Sequence, residues 1–368
     1  MGKKKLSSSL KRKTRSKTAK QPLWRGPTVD GITQSMLSRW LVCRERFRLL
    51  VVEGLKPADT FNHRIEYGQM WHICEEDMAA ELNWQADLLE YCCGLCKRYP
   101  LQQEQVQHWY NVCKVQFPLY VDYWSKHEDV KNRTPLLQEE VFNVPYKLPS
   151  GRTVLMRGKW DSVDLIGKGK NAKVYLQENK TKGDIKEEQI KNQLQFDLQS
   201  MFYLVALIKY QDKSDNPGFK NFYLGGVRYN VIRRPLSGGR GSIRKHQPTK
   251  SNPNGESDDQ FYDRLSDVIR DDADYYFMRW TAEVTSQDLD KFMHDFLTPC
   301  LEELCNWWDW INSPGGQKDP FSDAIHYRTP FGLYNVLSEG GATELDEYLA
   351  TGSDLGLQRD TELFGELK

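Results

Sequence analysis

No stretch of this chain approaches the ~20 apolar residues that a membrane span requires. The first nine residues lack the apolar core of a secretory signal, so the reading is a protein that is neither membrane-bound nor secreted. Cysteine is absent after residue 305, and the eight present follow no regular spacing, which suits a reducing cytoplasm over a disulfide framework. Acidic residues are absent from residues 1–25, which hold ten Lys and Arg. Because the whole chain is neutral, the remainder carries a net charge of −10. Residues 1–28 therefore read as a disordered basic tail, either a phosphate- or partner-binding arm or a solubilising segment. From residue 339 to 368 the chain turns acidic and loses apolar periodicity, and reads as a loosely held tail. There are no internal repeats.

The whole chain, 368 residues at 39% hydrophobic, can bury one large core. Residues 68–135 read as mostly helical and rich in aromatics, among them Trp84, Trp109 and Trp124. Residues 153–157 and 160–166 read as strands. After the turn at 167–171, residues 172–178 return as a third. Asp161 and Glu178 then sit near one end of a hairpin. Glu178 and Lys180, two apart on a strand, share a face. Residues 186–210 predict one long helix, with Ile190, Leu194, Leu198, Phe202 and Val205 on its apolar side. Gln195, Gln199 and Tyr203 form a polar stripe on another. Residues 236–255 read as a flexible loop carrying Arg240, Arg244, Lys245 and Lys250. Residues 256–312 turn helical again, with Trp307, Trp308 and Trp310 near the end.

Two carboxylates and a lysine can hold a divalent cation and a scissile phosphate together. A lone acid-x-base triplet says nothing, since about 7 arise by chance among so many charges. Order and context make Glu178-Asn179-Lys180 informative: an apolar hairpin brings Asp161 beside it, and a polar helix face follows. A histidine, His72, precedes both on a helix that opens near Tyr67-Gly68.

The sequence resembles the PD-(D/E)XK nuclease superfamily in Gly68-xxx-His72, Gly158-Lys159-Trp160-Asp161, Glu178-Asn179-Lys180 and Gln199-xxx-Tyr203. Within it the chain is similar to the RecB-like branch, which includes the AddB and CRISPR-adaptation nucleases. The likeness extends to a helix at residues 33–47 and a strand at 229–235, so it runs from about residue 30 to about 335. It implies an α/β fold with a restriction-endonuclease-like mixed central sheet flanked by helices and an inserted helical region, set in a domain over 29–338. It implies His72, Asp161 and Glu178 as ligands of Mg²⁺ or Mn²⁺, and Lys180 as the charge beside the attacked phosphate. Gln199 and Tyr203 would position DNA and support the site, with Arg240, Arg244 and Lys245 as further DNA contacts. Many members of that branch hold an iron–sulfur cluster through one cysteine near the opening helix and three near the C-terminus. Cys43 matches the first, but Cys300 and Cys305 lack a third partner, so no cluster is expected.

The function expected is metal-dependent DNA hydrolysis by an exonuclease acting in replication, recombination or repair. It would be a stand-alone cytoplasmic enzyme, in the host cytoplasm if the source is viral. DNA is the expected partner, with a recombination or replication protein as a second. The alternatives are an inactive nuclease fold serving as a DNA-binding or recombination scaffold, and a structure-specific endonuclease.

Overall fold

A computed structural model describes residues 22–42, 44–57, 60–127, 130, 132–211, 223–236, 238, 242–313 and 357–367. Most of the basic tail, Cys43, Arg240 and residues 314–356 lie outside the described residues. A mixed sheet forms the centre, built from β1 (Ile32–Thr33), β3 (Arg133–Lys147), β4 (Thr153–Ile166), β5 (Lys173–Lys182), β6 (Tyr223–Arg233) and β7 (Phe277–Glu283). Its order is β1-β4-β5-β6-β7, with β3 paired to β4. The β1/β4 and β5/β6 pairs are parallel, and β3/β4, β4/β5 and β6/β7 are antiparallel. A separate two-stranded ribbon joins β2 (Leu55–Pro57) to β8 (Leu357–Arg359).

The two strands expected at 153–157 and 160–166 are one continuous strand, β4, running through Gly158. A Cβ at Gly158 would stand 2.4 Å from Phe142 Cζ and 2.9 Å from Tyr203 Cε1, so glycine is what lets these rings close over the strand. One edge of β4 changes partner along its length. It pairs with β1 at Met156 and Arg157, and with β5 only from Ser162 onward. Asp161 falls in the gap between the two.

Helices cover both faces. On one, α1 (Gln34–Val42), α7 (Leu198–Gln211) and α11 (Thr298–Ile311) pack with β4, β5 and β6 through Trp40, Trp160, Phe202, Val205, Leu301 and Leu304. On the other, α3 (His63–Ala79), α4 (Trp84–Arg98), α5 (Gln103–Ser125) and α8 (Asp258–Asp271) form an aromatic layer around Tyr67, Trp71, Phe117 and Phe261. Each fully buried aromatic contributes on the order of 1.5–3 kcal/mol. Alternation along β4 buries Val154, Met156, Trp160 and Asp164 on one face and leaves Lys159 and Asp161 half-buried on the other.

Three expectations change. The single helix over 186–210 is two, α6 (Glu187–Leu194) and α7, broken at Phe196 with φ +60°. Asp197 then caps α7, its Oδ2 accepting from the N–H groups of Gln199 and Ser200. Gln195 thus leaves the helical stripe, which keeps Gln199 and Tyr203. The helix bearing His72 starts at His63, several residues earlier than the sequence pattern suggests, with Asn62 as N-cap. Core packing also reaches back into the segment read as a basic tail. Trp24 is fully buried between Phe47 and Trp308, and its indole N–H donates to Gly31 O at 2.8 Å.

Two segments read as loose are tied down where they are described. Leu357–Arg359 pairs with β2, Lys56 meets Asp360 at 2.6 Å, and Phe364 lies under the Arg157 guanidinium. In the 236–255 loop, Ile243 is buried and its N–H donates to Pro235 O. The His246 N–H donates to the Glu256 carboxylate just beyond.

Candidate active site

Five elements converge on one point beside the gap in β4. Helix α3 brings His72, Glu75 and Glu76. Strand β3 brings Glu139, β4 brings Lys159 and Asp161, β5 brings Glu178 and Lys180, and α7 brings Gln199 and Tyr203. Ligand atoms of His72, Glu139 and Asp161 lie within 4.8 Å of one another. Glu139 sits between the pairs Gln138↔Ser162 and Glu140↔Trp160, which puts it opposite Asp161. Its φ of +48° is a left-handed conformation rarely held by a glutamate inside a strand. Strain of this kind costs about 1–3 kcal/mol and gathers at functional sites.

Glu178 lies outside that trio. Its Oε2 accepts from Lys180 Nζ at 2.8 Å and from Gln199 Nε2 at 2.9 Å, while Lys180 Nζ also donates to Gln199 Oε1 at 2.9 Å. Gln199 therefore bridges the acid and the base. Glu178 Oε1 is buried with no hydrogen-bond partner among the described residues. The Asn179 N–H donates to Asp161 Oδ2 at 2.9 Å, tying the two acidic strands together. Lys159 spans Glu139 at 2.7 Å and Glu76 at 3.1 Å, closing the far side. The Tyr203 phenol lies against Gln199 and the Lys159 backbone; burial, then Glu178 and Asp161, push its titration up.

Electrostatics mark the place as built for a cation. Burial, with Asp161 adding, pushes Glu139 up to about 7 against the pull of Lys159. Burial also pushes Glu178 up to about 7, with Lys180 opposing and Asp161 adding. Glu75 is half-buried and accepts from the Tyr120 hydroxyl at 2.8 Å; loss of solvent around its carboxyl, then Asp161 and Glu139, raise it to about 8. Burial disfavours the Lys180 ammonium, yet Glu178 and Asp161 outweigh it and hold its pKa above the ordinary value. Carboxylates crowded into one low-dielectric pocket repel each other until a cation offsets them. One imidazole with carboxylate oxygens, one of them orphaned, fits Mg²⁺ or Mn²⁺.

The fold thus brings together His72, Asp161, Glu178, Lys180, Gln199 and Tyr203. Sequence reasoning missed Glu139, Glu75 and Lys159. The acidic pair Glu139-Glu140 on the strand before the hairpin was a signal for the first, and the spacing of Glu75 three after His72 for the second. Lys245 is engaged elsewhere, meeting Asp258 at 2.6 Å on α8. Arg244 is exposed, and its carbonyl accepts from Arg264. Asp164, of opposite alternation to Asp161 on β4, is buried with Arg133 at 2.8 Å.

No helix among the described residues is long and apolar enough to cross a membrane. No curated protein matches the chain. The family profile of the PD-(D/E)XK nuclease superfamily matches residues 32–310, a span that starts at β1 and ends in α11 and takes in every residue of the site above. With three quarters of its length matched and a mixed sheet flanked by helices, the chain belongs to the PD-(D/E)XK nuclease superfamily.

Proposed function

We propose that this protein is a metal-dependent deoxyribonuclease of the RecB-like kind that degrades linear DNA from its ends during replication, recombination or repair. The observation that carries the reading is the convergence of His72, Glu139 and Asp161 within 4.8 Å, beside the Glu178–Lys180 pair. His72, Glu139 and Asp161 would hold a Mg²⁺ or Mn²⁺ ion, and the unpartnered Glu178 Oε1 is the further oxygen that could serve it. A bound divalent cation supplies an acidified water and neutralises charge on the phosphate. Lys180 places a fixed positive charge where negative charge grows on the oxygens of the attacked phosphate. Gln199 holds Lys180 and Glu178 in register, so neither must reorganise during the reaction. Tyr203 fills the wall beside them against Phe142.

The end-first mode rests on the walls of this site. Helix α3 lies across β5, with Gly68 against Thr181, and the aromatic layer of α4 and α5 backs it. A track closed on that side takes a strand by its end more readily than by its middle. The described cysteines are free thiols, in keeping with a reducing cytoplasm, the host's if the source is viral. DNA is the partner, and a recombination or replication protein is a second. The reading carries no iron–sulfur cluster, so the purified protein should be colourless. Incubating linear and covalently closed single-stranded DNA side by side with Mg²⁺ or Mn²⁺ tests the mode. Loss of the linear form alone is expected, and equal loss of both would make the enzyme an endonuclease.

A further inference from the structure

Beyond the acidic cluster, at the end of β5, the charge changes sign. Arg234 is only 6% exposed, and its Nε and Nη1 atoms are buried without a hydrogen-bond partner among the described residues. Its backbone N–H donates to Lys182 O at 2.8 Å, which seats it against the last residue of β5. The first turn of α3 stands beside it: Arg64 lies close enough for its charge to oppose that of Arg234, and burial, then Arg234 and Arg64, hold the His63 imidazole below its ordinary pKa. Lys182 adds another cation, near both Lys180 and Arg234. The His63 ring is held by stacking on Trp109 at 4.7 Å. Three basic side chains, two from α3 and one from β5, therefore stand around the buried Arg234 guanidinium. Asp197, which caps α7 through Oδ2, offsets part of the charge at Lys182, and among the described residues no hydrogen bond reaches the Nε and Nη1 atoms of Arg234.

Such a cluster is costly as it stands. Burial, then the like charge of Arg64, lowers the pKa of Arg234 from its ordinary value, and burial with Lys180 and Arg234 lowers that of Lys182. A buried guanidinium is normally matched by a carboxylate or a phosphate, whose oxygens fit its planar fork. His63 and Arg64 are the first two residues of the 17-residue helix α3, so its positive end lies on this side of the cluster. Lys182 follows Lys180 on one face of β5, displaced by about 6.7 Å at the rise of a strand. That is one step along a stretched nucleic-acid backbone from the phosphate that Lys180 would serve.

We propose that Arg234, Arg64, Lys182 and His63 form a second anion site that binds a phosphate of the substrate strand next to the one being cut. The inference rests on the nuclease reading and adds to it how the strand is gripped. The phosphate is either an internal diester or the terminal monoester of a phosphorylated end. Binding energy taken here places the neighbouring phosphate at Lys180 and sets the register of cleavage.

The test is fluorescence anisotropy with a short labelled single strand, 5′-phosphorylated or 5′-hydroxyl, in EDTA so that nothing is cut. The variants are Arg64→Ala and Lys182→Gln, both at positions with solvent access, and Arg234→Gln with circular dichroism to check folding. Each of the first two should weaken binding several-fold and flatten the plot of log affinity against log salt by about 0.7, the slope that one neutralised phosphate gives on a single strand. Weakening on both strands assigns an internal phosphate, and weakening on the phosphorylated strand alone assigns the terminal one. Affinity and salt slope unchanged in both Arg64→Ala and Lys182→Gln, or no binding by the wild type, overturn the site. A wild type that binds, with these losses, but does not cut when Mg²⁺ or Mn²⁺ is added sinks the nuclease reading and leaves the anion site standing.

Discussion

The Asn179 N–H donates to Asp161 Oδ2 at 2.9 Å, one step past the Ser162↔Gln177 pair that ends the β4/β5 ladder. The bond fixes one carboxylate oxygen from the backbone of the neighbouring strand and turns the group toward His72 and Glu139. An asparagine at 161 keeps an oxygen for that bond and loses the charge. Asp161→Asn and Glu139→Gln should therefore fold normally. Each should lose more Mn²⁺ affinity than the ~10–100-fold typical of outer-shell changes. Glu140→Gln, at the exposed neighbour, should bind as the wild type does. Titration calorimetry reads all three, and wild-type affinity in Glu139→Gln would remove it from the ligand set.

The Gln199 side chain hydrogen-bonds both Glu178 and Lys180. Hydrogen bonds to charged groups are worth about 1.5–3 kcal/mol, which as a barrier is roughly ten- to a hundredfold in rate. Gln199→Ala should lose that much in single-turnover cleavage, with Mn²⁺ affinity nearly unchanged. A loss confined to metal binding would assign Gln199 to the ion instead.

The hairpin of Asp161 and Glu178, the shared face of Glu178 and Lys180, and the pair Gln199 and Tyr203 were legible because each rests on local periodicity. Glu139 was not, since its place opposite Asp161 depends on pairing between β3 and β4, and its left-handed backbone breaks the alternation that would have marked it. The split between α6 and α7 was hidden because Leu194, Leu198 and Phe202 keep helical spacing across it. Phe196 and the cap at Asp197 decide it. Trp24 was hidden within a basic stretch whose charge outweighed a single aromatic residue.

Two motif glycines should respond in opposite directions. At Gly158 a methyl would enter the Phe142 ring, and such overpacking costs about 1–3 kcal/mol. At Gly68 it would meet Thr181 Oγ1 at 3.5 Å, an ordinary contact, so alanine should add about 0.5–1 kcal/mol of helix stability. Thermal melts of Gly158→Ala and Gly68→Ala compare them, and equal melting temperatures would contradict the packing described for β4.

Glu256 pins the 242–256 loop to α8. Its carboxylate takes two bonds of 2.6 Å from Arg264, and this pairing holds its pKa down at about 2. A depressed carboxylate stabilises the fold fully above its unfolded pKa of about 4.3, and that contribution fades as pH falls toward the folded value. Glu256→Gln should therefore melt below the wild type at pH 7, and the gap should shrink between about pH 4.5 and pH 2. A gap constant over that window would mean that the charge is not what holds the loop.

The most direct measurement is cleavage of end-labelled linear DNA by the purified protein, with and without Mg²⁺ or Mn²⁺, beside Asp161→Asn and Lys180→Ala. The account predicts short products from the wild type only when an ion is present, and at least about a hundredfold less from either variant. Intact DNA from the wild type with both ions, or equal cleavage by Asp161→Asn, would contradict it.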